Sequence, residues 1–205
     1  NDVTPLIKFT GNIETEWLEF KAASTPTDGI YHKNDNKWDY RLDVSKALFA
    51  MANSMGGAVI LGVGETRGKD STIEHVDLIY SEYKGDKDKF MLNLGMHILH
   101  PQDGWRTGVE GIWRCTEQHN LFSPRWGTFE GKLVIVIMVK PRKKEDGWLS
   151  FECENKKQFV NVTVCRREGD RGQNSKVLEA DLQQWWKNRE INNSGLDKQF
   201  QTFLS

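Results

Sequence analysis

Cysteine is scarce in this sequence, and the three present (Cys115, Cys153 and Cys165) make neither an even set nor a CxxC pair. That argues against a disulfide framework and a structural zinc site, and fits a reducing cytoplasm. Long apolar runs are missing as well: none nears the roughly 18 residues of a membrane span, and no signal-peptide pattern is present. A cytoplasmic protein without membrane contact is therefore expected. Net charge is almost absent, at -1, so nucleic-acid binding would have to come from local clusters of cations rather than overall basicity. Internal repeats and low-complexity tracts are also missing. What the chain does carry is aromatic weight. Eight Trp and ten Phe among 205 residues supply enough buried area for a real core, so one domain, or one with an appendage, is expected.

The stretch KALFAMANSMGGAVILGVGE (residues 46–65) organises the rest. Val44, Ala47, Leu48, Met51 and Met55 recur at helical spacing, with Ser45, Lys46 and Asn53 off that stripe. Asp43, just before it, is the expected N-cap. Gly56-Gly57 then ends the helix, because the left-handed conformation at a helix C-terminus is cheap only for glycine. Residues 58–63 form a continuous apolar run and read as a strand buried on both faces. The segment after it (Gly64, Glu65, Thr66, Arg67, Gly68) falls at an edge of the core, where loops often carry function.

Residues 1–12 are a weakly patterned lead-in. From Trp17 to Ala22 the chain alternates, with Leu18 and Phe20 on one face and Trp17, Glu19 and Lys21 on the other, as in a half-buried strand. Residues 24–42 are polar and read as a loop. Asp86 opens a helix with Phe90, Met91, Leu94 and Ile98 on one face, stopped before Pro101. Residues 112–115, 132–140 and 159–166 read as strands, the second apolar throughout and so central. Ser175 is the expected cap of a last helix whose buried stripe is Leu178, Leu182, Trp185 and Trp186.

Two motifs are weighed and set aside. GVGETRG follows a strand as a dinucleotide-binding loop does, but its third glycine is one place late and no helical stripe follows. His97 and His100 have a metal-pair spacing near a helix end, where compensation of the helix dipole is the commoner role. Two clusters of cations remain: Lys140, Arg142, Lys143 and Lys144 after one strand, and Arg166, Arg167 and Arg171 at the end of another. In a nearly neutral chain they suggest an edge facing phosphates, and a solvated charged surface is an equally common reading. Trp17 is the best candidate for stacking on a nucleobase.

ETEWLEFKAA (14–23), AMANSMGGAVILGVGE (50–65) and VTVCRREGDRG with Ser175 together resemble the Schlafen AlbA-like domain family. The resemblance covers about residues 12–187 and leaves 188–205 as a polar tail or linker. It implies an α/β fold, a mixed sheet with flanking helices, and association with RNA or DNA. Some members are endoribonucleases in which three acids hold a divalent metal. Here those acids fall on Glu14, Glu19 and Glu65, the third of them usually Asp in the nuclease members. The zinc-binding Cys/His set of animal members has no counterpart.

Side-chain geometry bears on those acids independently. On a straight strand Glu14 and Glu19 point to opposite faces, and on a helix they diverge by about 140°. Bringing them together requires a bend near Thr15 and Glu16. Three gathered carboxylates repel, and Mg²⁺ or Mn²⁺, or a cation such as Lys21, would keep them ionised. The plain alternative is that each is an ordinary solvated Glu. Three functions are thus carried forward: a metal-dependent endoribonuclease, a non-catalytic nucleic-acid-binding module of a larger protein, and an oligomerisation domain, a homodimer being the simplest form.

Overall fold

In the computed structural model the described residues are 2–9, 15, 17–21, 40–64, 72–73, 86–95, 105–107, 111–115, 120–146, 148–155, 158–168 and 173–176. In chain order they form α1 (Thr4–Phe9), β1 (Leu18–Lys21), α2 (Tyr40–Ala52), β2 (Gly57–Leu61), β3 (Val63–Gly64), β4 (Thr72–Ile73), α3 (Lys87–Leu94), β5 (Trp105–Thr107), β6 (Gly111–Cys115), β7 (Phe122–Phe129), β8 (Lys132–Val139), a single 3-10 turn (Lys144–Asp146), β9 (Ser150–Asn155), β10 (Gln158–Glu168) and β11 (Gln173–Lys176). The strands make a four-stranded sheet in the order β1-β2-β8-β7, a five-stranded sheet in the order β11-β10-β9-β6-β5, and the small pair β3-β4. Within the first sheet β1 runs parallel to β2 and the other pairs are antiparallel, so the sheet is mixed and the fold is α/β.

The apolar run of β8 lies inside its sheet, between β2 and β7, as a run without polar alternation must. Its two faces belong to two cores. Ile135, Ile137 and Val139 join Val59, Leu61 and Phe122 under α2 and α3. Val134 and Val136 join Leu18, Phe20, Ala58 and Ile60 under α1, where Val3 and Ile7 complete the cluster. The lead-in therefore contains a helix that the sequence pattern does not show, since six residues are too few to display a period. Asp2 accepts from the Thr4 N–H at 2.9 Å, and the contact with Thr4 holds its carboxyl below the usual range. Glu130, in the turn between β7 and β8, donates its N–H to the Thr4 hydroxyl at 2.8 Å.

α2 differs from expectation in two respects. It begins at Tyr40, so Asp43 lies within the helix and does not cap it. It is also buried beyond the expected stripe: Ser45 and Asn53 are as inaccessible as Leu48 and Met51. The cause is its position, against β2 and β8 on one side and β10 and β11 on the other. A helix packed on both sides takes small or apolar residues over most of its surface, and of the helix residues from Val44 to Ala52 Lys46 alone is partly exposed. α3 starts as expected, with the Asp86 carboxylate accepting from the Lys89 N–H at 2.9 Å.

The run expected to continue to Val63 is broken at Gly62, whose φ of 97° turns the chain out of β2 and into β3. Ser175 is a further correction. It lies in β11, paired with Arg166 of β10, and its backbone groups serve a ladder rather than a helix terminus. The helix expected after it falls outside the described residues. β10 carries a bulge between Phe159 and Asn161, which interrupts the alternation expected there.

Candidate functional site

Among the described residues β1 is an edge strand, and its side chains divide between the two faces of the sheet. Leu18 and Phe20 enter the core under α1. Glu19 and Lys21 are in register with Val59 and Leu61, two residues of the core under α2. An acid and a lysine thus stand at the margin of an apolar face. Glu19 is only 3% exposed, and the Lys21 Nζ lies 2.6 Å from its Oε1. Glu19 is therefore not a solvated surface acid. Each ion taken out of water costs several kcal/mol, roughly, and a close partner offsets much but not all of that. Departures of this kind from apolar packing concentrate at functional sites.

A turn precedes β1. The Thr15 N–H donates to the Leu18 carbonyl at 2.9 Å and the Leu18 N–H returns to the Thr15 carbonyl at 3.4 Å, so the chain reverses just ahead of β1. Glu14 itself lies outside the described residues. So does Glu65, which follows directly on β3. β3 lies beside β1, and the Gly62 N–H donates to the Lys21 carbonyl at 2.8 Å. Trp17, the proposed stacking residue, is half-buried and packs against the core under α1. Its carbonyl accepts from the Ala58 N–H at 2.8 Å, and it passes so close to Gly57 that a Cβ there would sit 2.2 Å from the same oxygen. Gly56 is equally confined, since a Cβ would meet the Val139 carbonyl oxygen at 2.6 Å. The paired glycines serve close backbone approach as well as the end of a helix.

Of the first cationic cluster, Lys140 and Lys143 are exposed, while Arg142 is buried at 7%. The Arg142 side chain donates from Nη2 to the Asp146 carbonyl, and its N–H donates to the Ala52 carbonyl at 2.7 Å, at the C-terminus of α2. Arg142 is thus buried and engaged with the backbone of its own loop, unlike Lys140 and Lys143. Lys144 opens the 3-10 turn. Arg166 and Arg167 lie in the last three residues of β10, opposite Ser175 and Asn174, at the end of a strand as expected. Arg171 is outside the described residues, as are His97 and His100.

Sequence reasoning missed Asn53. Its side chain donates to the Leu149 carbonyl at 2.8 Å and accepts from the Leu149 N–H at 2.9 Å, pairing with backbone as a neighbouring strand would. The available signal was a polar side chain in the small-residue run AMANSMGG. Among the described residues no group of three or more His, Cys, Asp or Glu gathers in a way that could hold a metal. Glu19 is the one described member of the expected triad. Its carboxylate is a hard oxygen donor of the kind Mg²⁺ or Mn²⁺ takes, and the Lys21 ammonium lies against it.

No protein-family model matches the chain, and no curated protein matches it. Among solved structures, the DIP2311 protein of Corynebacterium diphtheriae aligns at 13% identity and a TM-score of 0.39, over 85% of this chain and 28% of that one. The chain thus spans well under a third of that relative's length. The N-terminal domain of a RecG-related protein of Nitrosomonas europaea, named for an ATP-dependent DNA helicase, aligns at 15% identity and a TM-score of 0.42, over 87% of this chain and 95% of that domain. Likenesses this distant leave the α/β assignment to rest on the strands and helices themselves.

Proposed function

We propose that this domain binds nucleic acid and hydrolyses RNA at a site built around Glu19. The observation that carries the reading is the Glu19–Lys21 contact: a carboxylate kept buried, on an edge strand, beside its own cation. Glu14 and Glu65 complete the donor set on the strength of the resemblance to Schlafen AlbA-like domains. A divalent metal held by these carboxylates would offset negative charge developing on the phosphate oxygens. The chain's own contributions are distinct from that. Glu19 supplies a hard oxygen ligand from a strand in register with β2, and its carboxylate is buried. Lys21 shares the Glu19 face and is placed to hold a non-bridging oxygen of the scissile phosphate. Lys140 and Lys143 supply exposed positive charge for the backbone.

A second reading is favoured by the same contact. With Lys21 already against it, Glu19 has a partner without any metal, as a non-catalytic nucleic-acid-binding or oligomerisation module would require. The two readings part in one assay. Folded RNA and single-stranded DNA are incubated with the protein in Mn²⁺ and in EDTA. Cleavage of RNA in Mn²⁺ that stops in EDTA supports hydrolysis, whereas binding without cleavage in either condition assigns a binding module. Glu65→Asp then separates a lost site from one never present, because nuclease members carry Asp there. Activity gained on that change identifies the wild type as a binding domain derived from a nuclease.

A further inference from the structure

We infer that Arg142 is a positioning residue for the cationic loop after β8: it sets the places of Lys140 and Lys143 and does not itself contact phosphate. The inference rests on the nucleic-acid-binding reading above and assigns the roles within that surface. Four cations follow one another closely here, and the three whose side chains are described are treated differently. Lys140 and Lys143 are exposed and Arg142 is buried. The loop is fastened at each end and in the middle. The Lys140 N–H donates to the Leu121 carbonyl at 2.9 Å, the Arg142 N–H to the Ala52 carbonyl at 2.7 Å, and Leu149 is gripped twice by Asn53. Between these points the Arg142 guanidinium donates to the Asp146 carbonyl, while the Asp146 N–H donates to the Lys143 carbonyl at 3.2 Å. The guanidinium therefore closes the turn that carries Lys143. Ordering such a turn in advance removes an entropic cost that binding would otherwise bear. A lysine at this position keeps the charge but lacks the planar fork of donors that spans the turn.

The test is a titration of labelled duplex RNA with the whole chain at several salt concentrations, comparing wild type, Arg142→Lys, Lys140→Ala/Lys143→Ala and the triple variant. The slope of log K against log salt reports the phosphates contacted, by about 0.9 for each duplex phosphate. Arg142→Lys, which changes no charge, is expected to lower affinity and slope about as much as removing both lysines, and to add nothing in their absence. A charge-conserving Arg142→Lys with wild-type affinity and slope overturns the inference, and so does an effect that adds in full to the double change. Wild type that binds no RNA overturns the binding reading itself, together with this inference, and is distinguishable from both. A measurement on wild type covers the case in which Arg142→Lys does not fold. The Arg142 guanidinium NMR signals are expected to stay in place when RNA is added while those of Lys140 and Lys143 move. Movement of all three together contradicts the assignment.

Discussion

Glu19 and Lys21 form an unequal pair: the carboxylate is buried, and the ammonium against it is partly exposed. Lys21→Met is expected to destabilise the protein by about 3–5 kcal/mol, because it takes the ammonium away from a buried carboxylate. Adding Glu19→Gln to it is expected to restore much of that loss in urea unfolding, the coupling that a double-mutant cycle isolates. Additive losses would show that the pair is solvated rather than buried. Gly57 makes a second test at this scale. Gly57→Ala forces a Cβ against the Trp17 carbonyl and is expected to cost more than the ~1 kcal/mol of an ordinary glycine change, read by the same unfolding curves. The shared face of Glu19 and Lys21 was legible in the sequence, since side chains two apart on a strand point the same way. The burial of Glu19 was not, because a period of two says which residues share a face and not what packs over it.

At the scale of elements, the C-terminus of α2 is closed by backbone N–H groups of Asn53, Ser54, Gly56 and Arg142, and the Asn53 side chain ties the turn that follows it to Leu149. Asn53→Ala removes both bonds to Leu149 and leaves a buried N–H and a buried C=O without that partner. A loss of about 2–4 kcal/mol is expected in thermal or urea unfolding, on the scale of one to three for each stranded group. Asn53→Asp, which puts a carboxylate at a fully buried site facing the Leu149 carbonyl, is expected to cost at least as much as Asn53→Ala. α2, β2, β8 and the start of α3 were readable from apolar runs, paired glycines and the Asp86 cap. The β11 assignment was not. Ser175 suits an N-cap and also suits a strand, and the pairing with Arg166 that decides between them is a contact across the β10–β11 turn.

For the molecule as a whole, burial sets what each motif can do. α2 lies between two sheets, and α1 shields part of the opposite face of the first. Ile7, wholly inaccessible in that second core, is expected to cost about 2–5 kcal/mol on change to Ala, although it lies in a lead-in with little visible pattern. The α/β class was legible because its buried strands are apolar throughout. The candidate site was legible only in part: Glu19 and Lys21 meet as the alternation requires, while Arg142 carries the same charge as its neighbours and is buried. Among the described residues, no helix is long and apolar enough to cross a membrane.

The central claim is that the buried carboxylate of β1 serves chemistry and not only the fold. Cleavage and binding of one RNA are to be measured side by side in Mn²⁺ for wild type and Glu19→Gln, each shown to be folded by its unfolding transition. The account predicts that Glu19→Gln keeps binding, or binds more tightly as repulsion of phosphate falls, and loses cleavage. Equal cleavage by the two proteins would contradict it.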